Sequence, residues 1–172
     1  YSDIVKRGAR APQTLKRHKN YKQFECSCEE LEFLRLGHKF QTDVARFTVP
    51  MLDSNDKVSY PQALSFLYAF LEGVSNALGI ERNDIDGVLE LNLEWQSYDV
   101  LLYDNVPGGA GHVKRLLSRD AIICSLKAAL EKVSAECCDE KTSCYNCLRN
   151  YYNQSYHNKL QRKLAIDVIK HL

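Results

Sequence analysis

Four cysteines, Cys137, Cys138, Cys144 and Cys147, fall within eleven residues in the stretch CCDEKTSCYNC. The DEKTS turn between the two pairs is polar. It has no apolar side chains with which to offset the entropy of being ordered, so something other than burial must close this loop. Cys144 and Cys147 have the C-x-x-C spacing that turns two thiolates onto one tetrahedral ion, and Cys137 and Cys138 are within reach to complete the set. Adjacent cysteines share one ion less easily than spaced ones, which leaves Cys124, Cys26, Cys28 and His157 as substitutes for a remaining position. A redox C-x-x-C opens a helix directly after a strand, whereas this pair follows a helical pattern and a charged turn. Catalytic zinc keeps a position open and favours His or carboxylate ligands, while an all-cysteine shell is closed. The expectation is a structural zinc ion.

The rest of the chain supplies the scaffold. With 45% hydrophobic and 26% charged residues over 172 positions, it fits one globular domain with a single core, or such a domain with an extension. Residues 1–25 hold Gly8, Pro12 and scattered positive charge without periodicity, and read as a basic arm or linker; residues 26–172 read as the domain. Ala45, Phe47 and Val49 alternate with polar neighbours up to Pro50, which predicts a strand. Pro61 followed by Leu64, Leu67, Leu71, Val74 and Leu78 has helical spacing, with Gly79 as a left-handed stop. Leu89, Leu91, Leu93 and Trp95 predict a strand with one apolar and one wet face. DVLLYD predicts a strand covered on both faces. A helical pattern resumes at Val113, Leu116 and Leu117, and Ser118 is placed to cap a further helix bearing Ile122, Leu126, Leu130 and Val133. Leu160, Leu164, Val168 and Leu172 mark one face of a last helix. The fold class expected is α/β or α+β, a mixed sheet flanked by helices with a C-terminal cysteine zinc knuckle.

Net charge is only +1, but it is unevenly spread. Residues 6–22 carry seven Lys and Arg and no acid, the last quarter is basic again, and the stretch from Glu81 to Asp104 is acidic. Basic ends with interleaved tyrosines (Tyr145, Tyr151, Tyr152, Tyr156) suit phosphate contact and base stacking, with Arg149, Lys159 and Arg162 as the cations nearest the knuckle. No apolar run approaches a membrane span and the N-terminus lacks a secretory core, so a soluble, cytoplasmic protein with no membrane partner is expected. A start at Tyr1, with Met51 the sole methionine, reads as an excerpt of a longer polypeptide.

YDNVPGGAGHVKRL lies between a strand and a helix, where backbone amides can cradle an anion. Its spacing matches neither the dinucleotide fingerprint nor a P-loop. Asp104, Gly108, Gly109, Gly111 and His112 are therefore read as a structural or anion-binding turn, with Asp104 and His112 as the acid and base should the chain be a nuclease or other hydrolase.

This turn, together with SCYNCLRNYYNQSYHNKLQRKLA, resembles the MrfA-type zinc-binding domain found at the C-terminus of DEAD/DEAH-box superfamily 2 helicases of DNA repair and antiphage defence. The resemblance runs from about GHKFQTDVARF through the final helix. It implies zinc held by four cysteines in a helicase-associated domain without catalysis of its own. Single- or double-stranded DNA and helicase motor domains, in the same or an associated chain, are the implied partners, and an ATP-dependent helicase the implied parent. Cys138, Cys144 and Cys147 match the pattern. Glu136 stands where the first cysteine falls in the family, and Cys137 is the replacement. Gln161 stands where an Asp precedes the Arg. Asn153 and His157, from the NQxxH start of the last segment, take structural roles. A protein-interaction scaffold within a repair or defence complex is the further alternative.

Overall fold

The computed structural model describes residues 22–24, 39–49, 59–94 and 97–172. Two compact units divide the chain, residues 1–39 and 40–172; the elements below all belong to the second. The arm expected at residues 1–25, and with it Cys26, Cys28 and Trp95, lies outside the described residues or nearly so. Along the chain run β1 (Val44–Thr48), α1 (Tyr60–Leu78), β2 (Ile85–Asn92), β3 (Ser97–Asp104), α2 (His112–Arg115), α3 (Arg119–Ser134) and α4 (Arg162–His171). The strands form an antiparallel sheet in the order β1-β3-β2, with Val44 opposite Tyr103 and Ile85 opposite Asp104. Helices on an antiparallel sheet make this an α+β fold, the second of the two classes expected.

α1 is the axis of the domain. It starts as its sequence dictates: the Ser59 hydroxyl accepts from the Gln62 backbone amide, the Gln62 side-chain Oε1 accepts from the Ser59 amide at 2.8 Å, and Pro61 fills the first turn. It stops at Gly79, whose φ of +64° is left-handed. Between these ends Ala63, Leu64, Phe66, Leu67, Phe70, Leu71 and Val74 are all buried. The helix is covered almost all round because β2 and β3 pack on one side of it and α3 and α4 on the other. Each of its buried Leu and Phe side chains contributes about 1.5–3 kcal/mol. Gly73 allows the approach of α3: a Cβ there would overlap the Ser125 carbonyl and sit 2.7 Å from the Ala129 methyl. Phe47 of β1 meets Phe70 edge-on at 5.4 Å, tying the sheet to the same core.

Ser118 caps α3 as expected, accepting from the Ala121 amide. Three expectations change. β2 begins earlier, at Ile85, and its core-facing residues are Ile85, Gly87 and Leu89. Leu91 is 54% exposed, and Leu93, past the strand end, is 80% exposed, because the strand runs on beyond the part that Leu67 covers at Gly87. β3 buries Val100 and Leu102 in the core and Asp104 at its end, and on its other face Asp99 is buried while Leu101 and Tyr103 are only half-covered. In α4 the buried face is Arg162, Ala165, Val168 and Ile169; Leu160 is buried just ahead of the helix and Leu172 is exposed. Among the described residues no helix is long and apolar enough to cross a membrane.

Candidate metal centre

The knuckle begins where α3 ends. Ala135 leaves helical geometry with ψ of 138°, and the chain passes Cys137 and Cys138 before turning. Asp139 makes the turn. Its carboxylate accepts from the Lys141 amide at 2.8 Å and its carbonyl from the Thr142 amide at 3.1 Å, the local bonding that suits Asp to tight turns. A second turn follows, in which the Cys144 carbonyl accepts from the amides of Cys147, Leu148 and Arg149 at 3.0–3.2 Å. This folds the C-x-x-C pair onto one side and sends Leu148, buried, into the core.

The result is a cluster of four sulfurs, those of Cys137, Cys138, Cys144 and Cys147, all within 4.8 Å of one another. Sγ separations are 4.0 Å for Cys137 to Cys138 and 3.8 Å for both Cys138 to Cys147 and Cys144 to Cys147. A zinc–sulfur bond of about 2.3 Å in a tetrahedron sets the sulfurs about 3.8 Å apart, so the donor set fits that ion. The adjacent pair, doubtful by spacing, therefore does converge. Of the substitutes, Cys124 is exposed on α3 and apart from the cluster.

The thiols are ill-suited to standing alone. Burial, reinforced by hydrogen bonds from the other thiols, pushes Cys147 up to about 12, and burial also raises Cys137. Cys144 is lowered to about 7, since the Asn146 amide and the neighbouring thiols outweigh the desolvation that opposes them. Four thiolates so close repel one another and ionise together only around a cation. The Cys144 amide also donates to the Cys147 sulfur at 3.1 Å, a bond that favours the charged sulfur.

Phe66 to Leu148, residues 66–148, match the family model described as MZB, the MrfA Zn-binding domain. Over this segment the chain is similar to MrfA-type Zn-binding domains. The chain is 28% identical over 152 residues to the Druantia protein DruE of Escherichia coli (strain UMEA 4076-1), a match covering 79% of this chain and 8% of that protein. Two solved structures share the fold of this chain. One, of the DUF1998 helicase MrfA bound to DNA, has a TM-score of 0.61 at 14% identity, covering 88% of this chain and 19% of that one. The other, of MrfA bound to DNA and AMPPNP, has a TM-score of 0.59 at 15% identity, covering 93% and 19%. The chain thus spans under a tenth of the curated relative and about a fifth of the structures it matches. Zinc is the cofactor of this family, and the four-cysteine cluster suits it.

Around the cysteine cluster the neighbouring side chains lock the knuckle to the helices. Arg162, expected on a nucleic-acid surface, is 3% exposed. Its Nε donates to the Val133 carbonyl at 2.8 Å and its Nη1 to the Cys138 carbonyl, so it pins the end of α3 to the cysteine loop and supplies a positive charge beside the thiolates. Such a charge cannot also serve a phosphate at the surface. Arg149 is half-buried, donating to Ser143 Oγ at 3.0 Å and the His157 carbonyl at 3.4 Å. Lys159 is exposed, its Nζ 5.1 Å from the Tyr60 ring centre. Asn153 is fully buried: its Nδ2 donates to the Leu148 carbonyl and its Oδ1 accepts from the Asn150 amide, both at 2.8 Å. His157 Nε2 lies 2.9 Å from that Oδ1 and 3.1 Å from the Asn150 carbonyl. Both are acceptors, so this nitrogen carries a proton and is no metal ligand.

The glycine turn sits elsewhere, after β3. Asp104 is wholly buried, and its carboxylate accepts from the amides of Ala110 (2.7 Å), Val113 (2.9 Å) and His112 (3.1 Å). The amides that suggested an anion cradle thus hold an anion from the protein itself. Gly108, Gly109 and Gly111 have φ of +88°, +76° and +78°, which is why the turn needs glycine. Asp104 has its oxygens committed to backbone, and the acid–base pairing with His112 is replaced by a bond to the His112 amide. The sequence offered no signal for the inward turn of Arg162, since a buried arginine follows no pattern of its own.

Proposed function

We propose that the chain is a zinc-stabilised accessory module of a DNA helicase, working beside a motor in the same or an associated chain and contributing DNA contact or motor coupling without chemistry of its own. The observation that carries this reading is the MZB match over residues 66–148, whose fold neighbours are helicases bound to DNA. Cys137, Cys138, Cys144 and Cys147 are its zinc ligands. The closed four-thiol shell leaves no position for a reacting water, which favours a structural ion. The commitment of Asp104 to three amides weighs against the hydrolase alternative. Asn153 and His157 are structural. Lys159 is retained as a phosphate contact, Arg149 through whatever donor its two bonds leave over, and Arg162 is not. Repair or antiphage defence is the setting, and the cytoplasm the location.

The test is a fluorescence-anisotropy titration of the chain with single- and double-stranded oligonucleotides at two salt concentrations. Binding that weakens with salt, and weakens further in Lys159→Glu whatever the base sequence, is expected. No binding to either strand form at low salt would leave an interaction scaffold instead.

A further inference from the structure

A cleft of about 180 Å³ opens between Tyr68 of α1, Arg82 and Asn83 in the single 3-10 turn before β2, Asn105 after β3, and Asn150 and Tyr152 beyond the knuckle. We propose that this cleft takes one unstacked nucleobase of a single-stranded nucleic acid, with the Tyr152 ring as its stacking face. The inference rests on the nucleic-acid reading above and names the form of strand and the place of contact.

Three features carry it. The first is exposed aromatic surface beside a cleft. Tyr151 and Tyr152 are each 75% exposed, and they meet edge-on at 5.6 Å, an arrangement that holds both rings at the surface. Tyr68, half-buried, supplies a second ring to the lining. Bases stack on such rings whatever their identity.

The second is unused hydrogen-bonding capacity. The Asn83 side-chain amide has no partner among the described residues. Asn150 spends its Oδ1 on the amides of Tyr152 (2.9 Å) and Asn153 (3.0 Å), which leaves its Nδ2 as a donor. Asn105 donates its Nδ2 to the Asn83 carbonyl at 3.1 Å, which leaves its Oδ1 as an acceptor. Side-chain amides offering both kinds of group match the edge of a base, which presents donors and acceptors together.

The third is charge. Arg82 is already engaged, its Nε 3.5 Å from the Glu72 carboxylate and its Nη1 donating to the Ile85 carbonyl at 2.8 Å. Asp86 also lines the cleft. With one paired cation and an acid, the cleft disfavours a phosphate and suits a neutral, flat, polar group. Its volume is below the about 300–1,000 Å³ of pockets for larger ligands and suits one ring system. In a duplex every base is stacked and paired, so a single strand supplies such a base at the least cost.

The test uses the zinc-loaded chain with thymidine oligonucleotides carrying one 5-iodouracil, cross-linked by light and mapped by mass spectrometry. Cross-links at Tyr152 or Tyr68 are expected. In anisotropy titrations Tyr152→Ala should weaken single-strand binding about fivefold to a hundredfold, the range set by loss of one base–aromatic stack. Tyr152→Phe should bind as the parent, and a duplex of equal length should bind Tyr152→Ala and parent alike. Unchanged single-strand affinity in Tyr152→Ala, with salt-sensitive binding intact, would overturn the cleft and leave the nucleic-acid reading standing. Equal weakening for duplex and single strand would also overturn it, as would displacement of the strand by micromolar free thymidine monophosphate, which would make the cleft a nucleotide site. Absence of any binding at low salt would overturn both readings together.

Discussion

The knuckle after α3 and the glycine turn after β3 are both loops with few apolar side chains, and they differ in the charge gathered at their centres. In the turn, Asp104 brings one buried carboxylate to three backbone amides, so the charge and its partners arrive with the same chain. In the knuckle, four sulfurs lie within 4.8 Å of one another and become anionic together only around a cation from outside. A loop organised around its own anion is complete on folding. One organised around thiolates is conditional on metal, and this makes the knuckle the part of the fold that solution conditions can switch.

The largest effect is therefore expected from removing a sulfur. Cys147→Ser or Cys144→Ser should abolish stoichiometric zinc and remove hydrogen-exchange protection from the knuckle amides, since metal binding is the folding energy of such a site. Cys124→Ser, on exposed surface, is the control and should keep one zinc per chain. Acid should act in the same direction. Zinc holds the thiols deprotonated and so depresses their folded-state titration; the stability it lends is present at neutral pH and lost as pH falls. Burial raises the metal-free Cys147 and Cys137 thiols, so protons compete with the ion for these sulfurs. Zinc release followed with a colorimetric chelator between pH 7.5 and 5 should show the loss, and zinc retention at pH 5 as full as at neutrality would break the contrast between the loops.

Next in size is the turn. Asp104→Ala leaves three amides without their acceptor, one of them, that of Val113, fully buried. Unpaired buried donors cost about 1–3 kcal/mol each, so a loss of about 3–5 kcal/mol is expected by denaturant titration, with zinc content unchanged. If zinc were lost as well, the two loops would be one cooperative unit and the contrast would fail.

The sequence revealed these loops unequally. α1 was legible from Ser59 to Gly79 because capping, periodicity and the stop signal are local properties, and the cysteines were legible because their spacing carries the ligand geometry. Leu91 and Leu93 misled because alternation reports a strand's two faces but not how far a covering helix extends along it. Arg162 misled more deeply. Its sequence neighbours are those of a surface cation, and only the meeting of Val133, Cys138 and α4 in space gives it carbonyls to bind. The cleft is of the same kind, assembled from segments that no spacing rule connects.

Arg162 gives the third prediction. Arg162→Met keeps the length of the side chain but strands the carbonyls of Val133 and Cys138, at an expected cost of about 2–3 kcal/mol. One zinc per chain should remain, released to chelator several-fold faster, because the loop would be held by its ion without the pin. An unchanged release rate would mean that the knuckle is independent of the helices.

The smallest effect separates strain from space within the glycine turn. Gly108 and Gly109 both have left-handed backbones, with φ of +88° and +76°, and an alanine at either position pays roughly 1–2 kcal/mol for that geometry. Around Gly108 a Cβ would meet nothing within 4 Å, so conformational strain is the whole cost there. At Gly109 a Cβ would lie 2.6 Å from Asp43 Oδ2 and 3.2 Å from the Asp43 amide, so the side chain must swing away from Lys114, whose Nζ is 2.9 Å from that carboxylate. This ion pair is partly exposed and worth little, about 0–1 kcal/mol. Gly109→Ala should therefore be less stable than Gly108→Ala by up to about 1 kcal/mol, measured as the difference in denaturation midpoint at equal slope. Repeating the pair in Lys114→Ala isolates the ionic part: the gap should narrow there, because Asp43 no longer has a partner to leave. A gap unaltered by that change would assign the excess to backbone crowding at the Asp43 amide.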